Sequence, residues 1–468
     1  MVKKLFFVTT RSNSSFYDLI NQSLLLHAEN KIKKKLQIFY IKKKFPTLSF
    51  FIFFIKNLLN IKNLYDENFI SLEYRNCSIG RHSFSYAMRM KNSYKNNLFK
   101  NFYKIKGLFL GGSIIDTGHT FSKNIVAGYF DHGVYLNGLF IEIFKQKKKI
   151  VYTNNFPRGL ICNDFKKYNK KKFSYEDCIQ INKKKRFPLM RVKNEKRFIK
   201  KKITNAKTFE WLKLVNYKKI NNEINFKDYD YILYPQGFSD AQLLFGYSGF
   251  PTTKDWFEFT LEYFSKTKKK VLIKPHPNFF DYEILKNKNK IRSSLDLAEL
   301  DFRLYQKFRK NYSRFKNITF LNEPHPNHIF LKKLNNKKQV VLLHHTSAVL
   351  ECCHFGFKCI TSNNFWNNRL KITNVFNSKN HYAKLLSKNF KELKYSNQSD
   401  LLNASKQFYL NPYSYFGNKH YVKPIRKVLG FKTEFKFGYE NQIKNLLIKN
   451  PLKKRILIQK LTKCIQEN

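Results

Sequence analysis

Two apolar runs that stop abruptly in polar turns constrain this chain more than any other feature. One is Val271-Leu-Ile-Lys-Pro-His-Pro-Asn278. The other is Val340-Val-Leu-Leu-His-His-Thr-Ser-Ala-Val-Leu-Glu351. Each reads as a buried strand ending in a turn, and the second turn leads straight into a helix. Short apolar runs without polar alternation belong to strands covered on both faces. Strand ends that present imidazoles and hydroxyls beside a helix start suit a phosphate-bearing ligand.

The surrounding pattern fits that reading. Tyr231 to Tyr234 reads as a strand, Trp256 to Phe264 as a helix and Val271 to Lys274 as a strand. Ile318 to Leu321 is a further strand, and His328 to Leu334 a short helix. After Val340 to Leu343 come a helix over Ser347 to Phe355, a stop at Gly356 and a strand over Phe357 to Thr361. Glycine just past a helix is the usual stop signal. In the first half, Met1 to Thr10 reads as a first strand and Lys106 to Gly112 as a strand running into a glycine turn. Asn124 to Phe130 reads as a strand, Gly133 to Gln146 as a helix and Lys149 to Thr153 as a strand. Strand, helix, strand at this spacing predicts parallel sheets. The expected fold is α/β, with two Rossmann-like domains facing a cleft and a helical C-terminal tail. The expected domains are 1–225, with a Lys-rich insertion that closes it, then 226–385, then the tail at 386–468.

Composition bears on partners. The chain carries 89 Lys and Arg against 32 Asp and Glu, for a formal charge of +57. Such an excess points to nucleic acid or an anionic membrane. Yet Lys, Asn, Ile, Phe and Tyr are inflated together, while Gly and Pro number 16 and 12. That is the signature of A/T-rich coding, and the basic residues are spread along the whole chain. No nucleic-acid-binding motif is visible, so nucleic acid is not expected as a partner. Seven cysteines at irregular spacing, with no C-x-x-C pair, indicate a reducing compartment and no zinc site. No signal peptide is apparent, and Leu48 to Ile55 is too short to span a bilayer. That run reads as a buried strand or helix, or else as a peripheral anchor helped by Lys42 to Lys44 and Lys56.

Several side chains could carry chemistry. His276 is clamped between Pro275 and Pro277, so a stiff turn presents its imidazole; Lys274 adds charge beside it. Thr346 and Ser347 sit where an N-cap would form, and the same hydroxyls could hold a phosphate. Glu351 lies one helical turn beyond Ser347 and points back to the same mouth. Of His344 and His345, one is expected to face the core. In the first half, Asp131 and His132, with Tyr135 following, lie between strand and helix, where a base could meet an acceptor hydroxyl. Asp116 and His119, read as a loop, compete for that role, and Arg158 is a candidate for an acidic acceptor.

At Lys274-Pro-His-Pro277, at the approach from Asp240 to Trp256, and at His345-Thr-Ser-x-x-x-Glu351 before Gly356, the chain resembles bacterial capsule and surface-polysaccharide biosynthesis proteins. These are glycosyltransferases of the GT-B type, distantly similar to inverting sialyl- and Kdo-transferases. The resemblance covers roughly 100–160 and 230–365. It implies a nucleotide-sugar donor on the C-terminal domain and an acceptor on the N-terminal one, with no cofactor and no metal. His276-Pro277 matches the His-Pro motif of that group. Thr346-Ser347 matches its Ser-Ser/Thr motif in inverted order. The resemblance thus implies that His276 meets the leaving phosphate, that Lys274, Pro277, His345, Thr346 and Ser347 bind the donor, and that Glu351 orients it. Asp131 or His132 would be the base, although His132 interrupts the acidic-Gly motif at Gly133. Asp116, His119, Tyr135 and Arg158 would line the acceptor side. The expected product is a growing surface glycan or a lipid-linked glycan, made at the inner face of the cytoplasmic membrane with peripheral contact to anionic lipid. Rival readings are a CDP-alditol polyol-phosphate transferase of the teichoic-acid type, a sugar-nucleotide epimerase, a basic nucleic-acid-binding protein and an inactive export scaffold.

Overall fold

The computed structural model describes residues 4–8, 15–40, 46–121, 124–131, 135–155, 159–166, 193–204, 224–239, 243, 246–276, 279, 295–323, 325–362, 370–410, 428, 447–463 and 465–467. Its first sheet is built from β1 (Leu5–Val8), β2 (Gln37–Tyr40), β3 (Ile125–Asp131), β4 (Ile150–Asn155) and β5 (Gly159–Asp164). β2, β1, β3 and β4 are neighbours in that order and run parallel, while β5 turns back antiparallel beside β4. The helices between them are α1 (Ser15–Ile32), α2 (Leu48–Leu59), α3 (Asp66–Ile70), α4 (Ile79–Met88), α5 (Asn97–Phe121) and α6 (Asn137–Gln146). α2 to α6 cover one face, over Phe130 and Val151. α1 covers the other, over Phe6, Tyr129 and Tyr152.

The run Lys106 to Gly112 is not a strand but the middle of the 25-residue helix α5. Its glycines are contact points rather than turns. A Cβ at Gly107 would stand 2.8 Å from the Ser83 carbonyl oxygen of α4, and one at Gly112 would stand 2.2 Å from the Phe50 ring of α2. Three helices cross too closely there for side chains.

The second sheet is β6 (Tyr231–Tyr234), β7 (Val271–Ile273), β8 (Ile318–Phe320), β9 (Val340–Leu343), β10 (Lys358–Ser362) and β11 (Asn374–Phe376). All are parallel, in the order β11-β10-β9-β6-β7-β8. The chain lays β7 and β8 outward on one side of β6, then returns to lay β9, β10 and β11 on the other. This is the Rossmann order, and its winding reverses between β6 and β9. Alternate residues explain the unbroken apolar runs. Ile232, Leu272, Val341 and Leu343 face one core. Leu233, Val271, Ile273 and Leu342 face the opposite one. The covering helices are α7 (Glu195–Ile203), α8 (Thr253–Ser265), α9 (Leu295–Tyr312), α10 (Asn327–Lys332), α11 (Ala348–His354), α12 (Lys379–Ser387) and α13 (Gln398–Tyr409). The Lys-rich insertion, expected to close the first domain, contributes α7 to the second instead, because its apolar pair Ile199 and Ile203 joins the core of Val349, Leu401 and Phe408.

The expected helical tail is present and does not stand free. α14 (Pro451–Thr462) returns to the first sheet and packs on α1, placing Leu457 and Leu461 beside Leu19 and Leu24. β12 (Gln466–Glu467) then pairs with β5 as the sixth strand.

α5 turns directly into β3, and it runs alongside α6, with Gly111 against Leu139 and Gly118 against Ile143. Both helices therefore run opposite to the strands. The start of α5 lies toward the carboxyl edge of the first sheet and its last turns lie at the opposite edge. Near that start, Tyr94 donates to the Phe238 carbonyl (2.7 Å), and Glu67 accepts from the Tyr247 hydroxyl (2.8 Å). These bonds join the first half to loops at the carboxyl edge of the second sheet.

Candidate functional site

The crevice between the carboxyl ends of β6 and β9 is where an open sheet of this winding takes a ligand. It is lined by a directed chain of hydrogen bonds. The Gln236 side-chain amide N–H donates to His345 Nε2 (2.6 Å), and Gln236 Oε1 accepts from the His345 backbone (3.4 Å). With Nε2 accepting, the proton of His345 lies on Nδ1 and points at His344 Nδ1, 2.5 Å away. His344 therefore carries its proton on Nε2 and donates to Ser248 Oγ (3.0 Å). Burial, followed by the neighbouring His345, pushes the His344 pKa well below the usual histidine value. His344 is the one that faces the core, against Trp256, with ring centroids 5.4 Å apart. His345 is half-buried at the crevice. Neither Gln236 nor Ser248 is apparent as a candidate in the sequence. The available signal is position, since Gln236 follows two residues after a buried strand.

Lys274 leaves the end of β7 on the other face. It is buried, and its ammonium lies over the rings of Tyr234 (5.2 Å) and Phe330 (5.8 Å). Its ammonium makes no hydrogen bond or ion pair among the described residues. Burial lowers its pKa to about 8, opposed by the charge of Glu351. Glu351 sits on α11 and accepts from the Asn327 side-chain amide (2.8 Å). Burial raises its pKa to about 7, while that hydrogen bond and Lys274 pull it down. An amine and a carboxyl group, both tuned toward neutrality, thus sit beside the crevice. Glu351 is close enough to feel Lys274 and is not bonded to it.

Thr346 and Ser347 are half-buried at the start of α11. The expected N-cap is not made. Ser347 has helical backbone angles and its side chain makes no cap bond, and Thr346 Oγ1 accepts only a long bond from Ala348 N (3.4 Å). Capping therefore leaves both hydroxyls available at the crevice. His276 lies on the same carboxyl edge, half-buried, with its ring 6.0 Å from that of Phe279. β7 and β9 flank β6, so the His276 turn and the Thr346-Ser347 turn stand two strand spacings apart, about 10 Å. They share one edge. Pro277 and Asp240 lie outside the described residues.

On the first sheet the winding reverses between β1 and β3. Asp131 ends β3, so its backbone stands at that point. His132 and Arg158 lie outside the described residues. Tyr135 stands in the left-handed region, φ 56°. Its carbonyl accepts from His82 Nδ1 (2.7 Å), and Arg89 donates to its hydroxyl and lies over its ring (4.9 Å). His82 Nε2 meets the Glu142 carboxylate at 2.9 Å. Glu142 also accepts from Ser78 N (2.7 Å). Burial alone would raise its pKa; the bond and charge of His82, the nearby Arg81 and the Ser78 amide together bring it to about 2. His82, Arg89 and Glu142 thus brace the segment after β3, and none is apparent in the sequence.

Asp116 and His119 are displaced from the expected acceptor side. The Asp116 to Thr120 loop is the last turns of α5, which lead into the start of β3. That is the far edge, about 20 Å along the strand from Asp131. Asp116 is also fully engaged: it accepts from Thr47 N (2.7 Å), Thr47 Oγ1 (2.7 Å) and Tyr74 Oη (3.1 Å), and Arg75 lies at 3.3 Å. It anchors α2. Burial is the main cause of the lowered His119 pKa.

Among the described residues no three His, Cys, Asp or Glu side chains gather as a metal site would. Asp228-Tyr-Asp230 has an Asp-x-Asp spacing, but it precedes β6 at the edge opposite the crevice. There Asp228 accepts from Asn225 and Asp230 from Lys270 N.

No family model matches the sequence, and no curated protein does. Several solved structures show a weak likeness, three of them as follows. KpsC of Thermosulfurimonas dismutans, a beta Kdo 2,4 transferase, is 11% identical with a TM-score of 0.34, over 60% of this chain and 78% of that one. The Methanocaldococcus jannaschii UDP-GlcNAc 2-epimerase, in complex with UDP-GlcNAc and UDP, is 14% identical with a TM-score of 0.27, over 86% and 98%. The N-terminal domain of Candida albicans trehalose-6-phosphate phosphatase is 10% identical with a TM-score of 0.28, over 89% and 94%. At these scores the chain path is shared only in part, and the fold is assigned from strand order.

Proposed function

We propose that this protein is a glycosyltransferase of GT-B arrangement, with its nucleotide-sugar donor in the crevice between β6 and β9. The observation that carries the reading is the reversal of winding in the second sheet at β6 and β9. At that point stand two hydroxyls that make no cap, Thr346 and Ser347, and the imidazole of His345. The nucleotide phosphates meet Thr346, Ser347 and His276, and Glu351 accepts from donor hydroxyls. The acceptor lies on the first sheet, near Asp131 and Tyr135. Its hydroxyl attacks the anomeric carbon with inversion. Its proton passes to Asp131 or His132. The bond from sugar to phosphate breaks, and the nucleotide leaves with its charge met by His276. The acceptor is a growing surface glycan or a lipid-linked glycan, and the reaction needs no metal.

Thermal unfolding with CMP, CDP, UDP and GDP tests the donor site. One nucleotide should raise stability by about 2.7 kcal/mol at a hundredfold excess over its Kd. Turnover of the matching nucleotide sugar should then collapse in His276→Ala. No stabilisation by any nucleotide, or normal turnover by that variant, would overturn the reading. A response to CDP alone, with polyol phosphate transferred from a CDP-alditol, would move the assignment to polyol-phosphate transfer.

A further inference from the structure

The first half carries an apolar face that its own fold leaves uncovered. α2 is apolar nearly all round. One side is used: Phe50 is fully buried in the helix crossing at Gly112, and the Phe54 and Phe109 rings stand 6.2 Å apart. The opposite side is not. Leu48, Ile52, Ile55 and Leu59 are 77%, 62%, 55% and 79% exposed. Their spacing of four, three and four residues makes a single stripe. A surface helix normally shows water its charged side here. The stripe continues beyond α2. With Phe50 at Gly112 and Phe54 at Phe109, the two helices run antiparallel, so the end of α2 approaches the start of α5. There Leu98 and Phe102 are exposed as well. Nine of the fourteen large hydrophobic side chains exposed among the described residues fall between 48 and 102, so the patch is concentrated.

Charge selects what would cover it. Residues 41–60 contain four lysines and no acid, and residues 91–110 contain five lysines and no acid. Lys56, Lys62, Lys95 and Lys106 are exposed along the helices. Of the two carboxylates on α3, Asp66 is held by Lys100 (2.8 Å) and Lys104 (2.9 Å), and Glu67 accepts from Tyr247 (2.8 Å). An apolar stripe rimmed by ammonium groups matches the boundary of an anionic bilayer. Apolar side chains enter about 5–10 Å, and lysines reach the headgroups. A second copy of the chain would instead bring +57 against +57. Among the described residues no helix is long and apolar enough to cross a membrane, so the contact lies in the interface. The face also leads to the crevice: α3 holds Tyr247 through Glu67, and the next residue, Ser248, accepts from His344.

We infer that the exposed face of α2 and the start of α5 docks this protein on an anionic phospholipid bilayer, with the crevice at the membrane plane. Flotation of the full chain with vesicles tests it, comparing pure phosphatidylcholine with vesicles containing about one third phosphatidylglycerol. The chain should float with the anionic vesicles and keep part of its binding in 1 M salt, where screening falls to about 3 Å. Ile52→Asp with Ile55→Asp should lower the high-salt partitioning about a hundredfold, with thermal unfolding unchanged because both positions are exposed. Ile55→Trp should show a blue-shifted emission only with anionic vesicles. Equal binding by the double Asp variant, or no emission shift in Ile55→Trp, would overturn the inference. Vesicle-free self-association that the double Asp variant abolishes would overturn it too, by making the face a contact between copies.

Discussion

The carboxyl edges of the two sheets are organised differently. At the second sheet the polar groups interlock with one another. Gln236, His345, His344 and Ser248 form one directed chain, and Lys274 and Glu351 tune each other on the other face of the sheet. At the first sheet the edge is braced from behind: His82 of α4 and Arg89 just past its end grip Tyr135, and Glu142 of α6 holds His82. An interlocked edge presents fixed groups to a ligand. A braced edge fixes the backbone at Tyr135. Under the proposed function, that division suits a fixed donor and a variable acceptor.

The comparison can be broken at the bracing pair. Glu142→Gln should cost about 3 kcal/mol, because it replaces the buried carboxylate that meets His82 and Arg81 with a neutral amide. The wild-type contribution is present above the unfolded value near pH 4.5 and lost as pH falls through about 2. Urea unfolding across that window should slope in the wild type and be flat in the variant. The second sheet should behave with the opposite sign. The folded pKa of Glu351 is raised to about 7, so its contribution is full below pH 4.5 and lost as pH rises through 7. Glu351→Gln should remove a fall of about 2–3 kcal/mol between those values. Ser248→Ala should cost about 1–2 kcal/mol by leaving a buried His344 N–H unpaired. Ser347→Ala sharpens the contrast most finely. With no cap bond to lose, its stability should stay within about 0.5 kcal/mol of wild type, while nucleotide affinity drops about tenfold. A stability loss of about 1 kcal/mol with affinity intact would make Ser347 a cap and nothing more.

The second sheet is legible in the sequence because its strands are covered on both faces, so each shows as an unbroken apolar run with a polar turn after it. The first half is harder to read. Gly107, Gly111 and Gly112 look like a turn, yet they mark a helix crossing, and local sequence does not distinguish the two. The same ambiguity puts Asp116 and His119 in an apparent loop. The pairing of His82 with Glu142 spans 60 residues, and only the meeting of α4 and α6 creates it. A lone carboxylate on the apolar helix α6 is the one available hint. Thr346 and Ser347 do stand at the helix start, as their residue types indicate, but the missing cap bond depends on backbone angles that residue type does not fix.

The return of α14 and β12 to the first sheet has a consequence for biosynthesis. Leu457, Leu461 and Ile465 complete the core over Phe6 and Leu19, and β12 closes the edge left by β5. A ribosome delivers those residues only after every strand of the second sheet has emerged. The half translated first must therefore wait, partly unsealed, while the later half matures, and holding it in solution meanwhile is a task for the high positive charge or for a chaperone.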